Sequence, residues 1–349
     1  MKKIFIVIII VSIVFCSCKK SKTNTTNNGG SNTTDTIGTV YAAGYRYNGT
    51  ASKTIATYWR GSTAVSLTDG TKDAYASGIT LTGNDVYVCG YEATGTNTAM
   101  VKYWKNGTAV NLTDGTKAAY ASAIAVVGTD VYVAGHEFNA AGKPVAKYWK
   151  NGTAVNLSNG TFAATAKGIV VSGTDIYVTG YEYADASFNN AIAKYWKNGA
   201  AVSLTNATSN FTTSAITVNG NDVYVTGTNY TQSGFNQAFW KNGVLSNLAA
   251  STIAEINSVV VNQGNVYVGG SIGAKAAYWK DGVAFPLQNS ASAVEYVNSI
   301  FVFGGKVYCG GYRDLLGSGE FVATVWSFGS STSLNAATKS KVNSIYVVN

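Results

Sequence analysis

Histidine, proline and charged residues are scarce in this chain of 349 residues. His136 is the single histidine, so no second one can join it in a metal site, and any Ser-His-Asp triad would have to use it. A Gly-rich phosphate loop, a His-Glu-x-x-His motif and a nucleophile elbow are all missing from the sequence. We therefore predict no catalytic residue, no metal site and no cofactor.

The charge balance argues against nucleic acid as a partner. Only 12% of the residues are charged, about half the usual share. The net charge is +8, but five of the 25 basic residues and one of the 17 acidic residues precede residue 38, which leaves +4 for the remainder. That remainder has no clustered Lys/Arg stripe of the kind that nucleic acid binding requires.

The N-terminus has the pattern of a secretion signal. Lys2 and Lys3 precede an apolar run over residues 4–15, which is short for a transmembrane span and typical of a signal peptide. Cys18 follows the small residue Ser17, and this arrangement resembles a bacterial lipoprotein signal in which such a cysteine is lipidated. Cys16 is the alternative position, and a plain cleaved signal or an uncleaved anchor are alternative interpretations.

The resemblance implies a lipid anchor at Cys18 and a place in the cell envelope. We expect residues 1–18 to be the signal peptide with its lipidation site, and residues 19–37 to be a polar, disordered linker. The expected product is an outer-membrane lipoprotein, on either the periplasmic side or the cell surface.

Tryptophan marks an internal repeat. The seven tryptophans stand at regular intervals near 45 residues: Trp59, Trp104, Trp149, Trp196, Trp240, Trp279 and Trp326. A period of this length is typical of repeat architectures. The third repeat reads as four strands, here called a (122–127), b (131–137), c (145–150) and d (153–157). Asn151 and Gly152 supply the two-residue hairpin turn between c and d.

Four strands repeated around an axis form a propeller blade. The chain opens on a b strand at residues 39–45 and finishes on an a strand at residues 343–348. The final strand can therefore complete the first blade. We predict an all-β fold: a seven-bladed β-propeller over residues 38–349, closed by the C-terminal strand.

Two of the repeats carry a recognisable double-glycine motif. Residues 266–270 read Val-Tyr-Val-Gly-Gly ahead of Trp279, and residues 307–311 read Val-Tyr-Cys-Gly-Gly ahead of Trp326. The chain resembles bacterial (Bacteroidota-like) seven-bladed propeller repeat lipoproteins and, more distantly, Kelch repeats. We expect a monomer. Cys89 and Cys309 lie in non-adjacent repeats on opposite sheet faces, so we expect two buried thiols.

The two faces of such a propeller differ in their loops. The a–b and c–d turns share one face, the bottom, and are short and uniform, whereas the longer and variable b–c and d–a loops share the other face, the top. Function tends to lie on variable loops held by a rigid scaffold. We therefore place any ligand site on the top face.

Two recurring features mark that face. In three consecutive repeats, strand b ends in a residue with an aromatic ring followed by a glutamate. Strand a begins with a polar residue in every repeat, and Lys167 is the only charged residue among these. The predicted ligand-binding residues are Tyr91, Glu92, His136, Glu137, Lys167, Tyr181 and Glu182. Solvated strand ends, a water-filled channel mouth and a stacked ring around His136 are the alternative interpretations.

The function predicted from these observations is a membrane-anchored, non-enzymatic binding or scaffold module. Its expected partners are a glycan, a peptide or another protein on the top face, besides the membrane. The alternative is a hydrolase or lyase that acts on polysaccharide or peptide with the carboxylates of the top face.

Overall fold

The computed structural model describes residues 38–49, 52–232, 234–246, 253–287, 290–316, 318–327, 329–334 and 339–349. These residues form 28 β-strands and no helix. Accordingly, no helix within the described ranges is long and apolar enough to cross a membrane. The predicted signal peptide, Cys16, Cys18 and the linker lie outside the described residues.

The strands form seven four-stranded sheets, one for each repeat. Blade one contains β1 (Thr39–Asn48), β2 (Lys53–Arg60) and β3 (Thr63–Ser66). Blade two contains β4 (Ala74–Thr82), β5 (Asp85–Gly95), β6 (Thr98–Lys105) and β7 (Thr108–Asn111). Blade three contains β8 (Ala119–Val127), β9 (Asp130–Phe138), β10 (Pro144–Lys150) and β11 (Thr153–Asn156). Blade four contains β12 (Ala164–Ser172), β13 (Asp175–Tyr183), β14 (Ala191–Lys197) and β15 (Ala200–Ser203).

The remaining strands complete the ring. Blade five contains β16 (Phe211–Asn219), β17 (Asp222–Thr231), β18 (Gly234–Lys241) and β19 (Val244–Ser246). Blade six contains β20 (Ile253–Asn262), β21 (Asn265–Ile272), β22 (Lys275–Lys280) and β23 (Val283–Pro286). Blade seven contains β24 (Ala293–Phe303), β25 (Lys306–Leu315), β26 (Glu320–Ser327) and β27 (Ser330–Ser333), and the chain ends on β28 (Ser340–Val348).

The predicted closure is confirmed. Strand β28 pairs antiparallel with β1, from Thr39 opposite Val348 to Arg46 opposite Ser340, and becomes the innermost strand of blade one. The last strand of the chain thus joins the first repeat and covers the edge of β1 that would otherwise be exposed.

The tryptophans form the contacts between blades. All seven are at most 1% exposed. Trp149 of blade three packs in one cluster with Tyr87, Cys89 and Val101 of blade two. Trp59 of blade one packs with Tyr308 and other residues of blade seven. Each repeat therefore buries its largest side chain against the repeat before it, which explains why the tryptophan recurs.

Local predictions are confirmed with one difference. Asn151 and Gly152 have positive φ angles of 50° and 88°, as the predicted hairpin turn requires. Cys89 and Cys309 are buried free thiols. Strand a of blade three starts at Ala119 rather than at Ser122, because pairing with β9 continues past an irregularity in the ladder.

Candidate functional site

A β-bulge interrupts the innermost strand of every blade. In blade three the register shifts between Ala121 and Ala123, which leaves Ser122 as the extra residue. The equivalent residues line the central channel and form the inner polar ring: Ser77, Ser122, Lys167, Ser214, Asn257, Asn298 and Asn343. A bulge bends its strand and re-aims the extra side chain, so the same polar position of each repeat is directed at the channel.

A glycine on the neighbouring strand accompanies each bulge. A Cβ added at Gly135 would collide with the carbonyl oxygen of Tyr120, just ahead of the bulged Ser122. The same collision with the innermost strand is found in every blade, at Gly44, Gly90, Gly135, Gly180, Gly227, Gly270 and Gly311. The repeated glycine thus permits a close approach of two backbones, and its recurrence is a sequence signal from which the bulge could have been predicted.

Side-chain hydrogen bonds link the inner polar ring to the next blade in blades six, seven and one. In blades six, seven and one, the asparagine amide donates to a carbonyl of the next blade: Asn257 to Val297 at 3.0 Å, Asn298 to Val342 at 2.7 Å and Asn343 to Ala76 at 2.8 Å. Blades two to five hold Ser77, Ser122, Lys167 and Ser214 at this position instead. Lys167 is therefore the only charged residue of a ring that is otherwise neutral.

A cavity of about 610 Å³ lies above this ring, at the top mouth of the channel. Most of its lining comes from blades four to six, with Asn298 of blade seven and Asn343 of blade one in addition, and we call it the channel-mouth cavity. Its lining includes these residues: Lys167, Tyr181, Thr212, Thr213, Ser214, Thr228, Tyr230, Phe235, Gln237, Glu255, Asn257, Asn298 and Asn343. The volume lies within the range of small-ligand sites, and the lining combines rings, polar groups and both signs of charge.

One position in the cavity lining has a smaller side chain than the same position of other blades. On the innermost strand, two residues before the inner polar ring, blades two, three and seven carry Tyr75, Tyr120 and Tyr296. Blades four and five carry Thr165 and Thr212 at the same position. Thr212 lines the cavity and is smaller than the tyrosines of those three blades, whereas blade six has Glu255 at this position.

Lys167 lies at the border of the cavity and the ring. Its ammonium is 5.9 Å from the ring centroid of Tyr181, a cation–π distance. Burial lowers the pKa of Lys167 below its usual range. Among the described residues no carboxylate lies within ion-pair distance of this ammonium.

Lys167 and Tyr181 are the two predicted site residues that line the channel-mouth cavity. Tyr91 and His136 instead belong to a row of rings over blades one to three. Within this row, the ring centroids of Tyr91 and Tyr120 are 4.8 Å apart, and those of Tyr120 and His136 are 5.3 Å apart. Burial, with a smaller contribution from the charge of Lys167, lowers the pKa of His136 to about 4, so this imidazole is neutral at pH 7.

The three predicted glutamates are engaged within their own blades. Each forms an ion pair with a lysine of the adjacent strand, and both partners are largely buried: Glu92 with Lys102, Glu137 with Lys147, and Glu182 with Lys194. The pairs are diagonal neighbours across two strands, since Glu137 faces Val145 and Lys147 faces Gly135. Each carboxylate thus has an ammonium as its neighbour and not a second carboxylate.

Other residues of the cavity were not predicted. Glu255, Tyr230, Phe235 and Gln237 lie on blades five and six, where the repeated ring-plus-glutamate motif is missing. The predicted site residues were those that recur from blade to blade, whereas the cavity forms where the repeat deviates. Comparing the repeats for a loss of side-chain volume would have found this sector.

The comparisons with known proteins agree with the fold. No protein-family model matches the chain, and no curated protein is similar in sequence. A puromycin-hydrolyzing peptidase of Mycobacterium tuberculosis is similar in structure, with a TM-score of 0.55 and 11% identity over 84% of this chain and 53% of that one. An acylaminoacyl peptidase of Pyrococcus horikoshii has a TM-score of 0.50 and 11% identity over 87% of this chain and 53% of that one.

A third similar structure is the β-propeller domain of the Trilobed protease from Pyrococcus furiosus, with a TM-score of 0.47 and 10% identity over 86% of this chain and 95% of that one. The chain spans about half the length of the two peptidases above. At such low identity, the structural similarity to those two peptidases shows the propeller fold alone.

The same comparison contradicts the predicted non-enzymatic binding or scaffold module, because the similar folds belong to peptidases. That prediction is therefore not retained.

Proposed function

We propose that this chain has a peptidase-related function, in which the channel-mouth cavity receives a peptide. The observation that carries the proposal is the cavity itself: about 610 Å³ at the top of the channel, between Lys167, Tyr181 and Glu255. The similar structures support peptide as the ligand class, since one is a puromycin-hydrolyzing peptidase and another an acylaminoacyl peptidase.

The lining suits a short peptide chemically. Tyr181, Tyr230 and Phe235 offer ring faces to side chains, and the rings of Tyr230 and Phe235 are 48% and 49% exposed and thus accessible. Lys167 and Glu255 place a positive and a negative charge in one cavity, and these complement the carboxylate and the ammonium at the two ends of a peptide. Strand β17 of blade five carries Tyr230 and strand β18 carries Phe235, so adjacent strands of one blade supply both rings.

The test uses the full-length protein and a set of tetrapeptides, each made with a free acid and with an amide at its C-terminus. Binding is measured by calorimetry, and cleavage of the same samples by mass spectrometry. Thr212→Tyr restores the bulky residue of blades two, three and seven and should fill the cavity. We expect it to weaken peptide binding at least tenfold, about 1.4 kcal/mol, without altering the circular dichroism spectrum.

Thr153→Tyr is the matched control, because this threonine is exposed on the outermost strand of blade three. It should bind peptides as the wild type does. The proposal fails if no tetrapeptide binds, or if Thr212→Tyr binds as tightly as the control. Cleavage in the wild-type samples would assign the hydrolytic step to this chain as well.

The predicted anchoring is a second proposal, supported by the sequence pattern alone. Cys18 carries the lipid, and the chain is a bacterial cell-envelope lipoprotein whose double-glycine repeats are distantly Kelch-like. Metabolic labelling with a fatty acid should mark the wild type and not Cys18→Ala. Label that persists in Cys18→Ala and disappears in Cys16→Ala would move the site to Cys16.

A further inference from the structure

Lys167 lacks the ion pair that the recurring lysines of strand c form. On the bottom, four lysines pair with an aspartate of the same blade at 2.8–2.9 Å: Lys105, Lys150, Lys197 and Lys241. On the top, Lys102, Lys147 and Lys194 pair with glutamates. Lys167 has only the ring of Tyr181 at 5.9 Å, within the part of the chain that the structure describes.

The surroundings of Lys167 leave its charge uncompensated. Its neighbours in the inner polar ring, Ser122 and Ser214, are neutral. His136, the titratable group whose charge is coupled to that of Lys167, has its pKa lowered to about 4 and is neutral at pH 7. A largely buried ammonium without a carboxylate is costly, and a ligand that supplies the negative charge removes that cost.

Among the described residues, Glu255 is the carboxylate that lines the channel-mouth cavity. It stands on blade six, two blades away from Lys167, and the amide of Asn257 approaches one of its oxygens at 3.4 Å. Its charge also acts to raise the pKa of Lys341 on blade one, against the larger effect of burial. The cavity is therefore positive at the Lys167 end and negative at the Glu255 end.

We propose that Lys167 binds a carboxylate of the ligand, so that the channel-mouth cavity selects peptides that present a free C-terminal carboxylate or an acidic side chain. This inference rests on the proposed peptide function and names the chemical group that the site selects. The bulge on the closed ring directs Lys167 at the channel, and a charge-assisted hydrogen bond to its ammonium favours one end of the peptide over the other.

The test compares the acid and amide forms of the same tetrapeptides, together with amides that carry one internal aspartate. We expect the free acids and the aspartate-containing amides to bind about tenfold more tightly than plain amides. Lys167→Met should reduce both the free acids and the aspartate-containing amides to the affinity of the plain amides, and Lys167→Arg should keep the preference. A preference restricted to free acids identifies the C-terminal carboxylate as the group that is bound.

Lys280→Met is the matched control, because Lys280 lies over the ring of Tyr267 at 5.7 Å, much as Lys167 lies over Tyr181, and does not line the cavity. It should keep the acid preference. Lys167→Met should also be at least as resistant to urea as the wild type, because it removes an unpaired charge; a marked loss of stability would overturn the premise that Lys167 lacks a partner. Equal binding of acids and amides overturns the carboxylate inference and leaves the proposed function standing. A set in which no peptide binds overturns both.

Discussion

Replacing Trp149 by alanine tests the packing that holds neighbouring blades together. The side chain is 1% exposed and lies among Tyr87 and Val101 of blade two and Val133 of its own blade. A tryptophan buries up to about 250 Å², which at ~25 cal/mol per Å² corresponds to about 6 kcal/mol of transfer free energy. Partial collapse of the site reduces that upper value, and we expect the free energy of unfolding to fall by about 3–5 kcal/mol.

Urea unfolding of the full-length protein, followed by far-ultraviolet circular dichroism, measures this loss. Val283→Ala is the control, because that side chain is 61% exposed and its truncation should change stability by less than about 0.5 kcal/mol. Since each tryptophan joins two blades, the urea dependence of the transition should also show whether blades three and two still unfold together. A Trp149→Ala protein within about 1 kcal/mol of the wild type would refute the role assigned to the repeated tryptophan.

Two further predictions concern the bulge and the histidine. Gly135→Ala places a Cβ against the carbonyl oxygen of Tyr120 and should destabilise the propeller by at least about 1–3 kcal/mol in urea, whereas Gly49→Ala, where the new Cβ meets no atom within 4 Å, should not; equal stabilities would contradict the close approach. Burial lowers the pKa of His136 from 6.5 to about 4, so the unfolded chain binds the extra proton between these values. The stability contributed by the neutral imidazole is therefore present above pH 6.5 and lost as the pH falls towards 4, by up to about 3 kcal/mol. His136→Tyr introduces the tyrosine that blades two and four have at this position, and it should lose less stability between pH 6.5 and 4 than the wild type. Identical pH profiles of the two proteins would disprove the burial of His136.

The repeat is visible in the sequence because each blade is built from local contacts. The hairpin turn at Asn151 and Gly152, the strand order and the recurring tryptophan all follow from patterns within about 45 residues. Closure could also be predicted, because the chain begins with strand b and ends with strand a. A strand pattern left incomplete at both termini has one simple solution in a ring.

The ion pairs between glutamates and lysines could be recognised only from the strand register. Glu137 and Lys147 are ten residues apart in sequence, and only the pairing of Glu137 with Val145 and of Lys147 with Gly135 brings their charges together. From the sequence, the glutamates were predicted to offer acceptors to a ligand. In the folded blade, each of them forms an ion pair with a lysine of the adjacent strand.

The channel-mouth cavity depends on the tertiary structure most of all. Its lining comes mainly from blades four to six and includes Thr212, at a position where blades two and three have Tyr75 and Tyr120. A repeat pattern records what every blade requires, so the sequence by itself determined the propeller and its closure. The position of the cavity depends on the closed ring, because the space is shared by blades whose strands are distant in sequence and meet around a common axis.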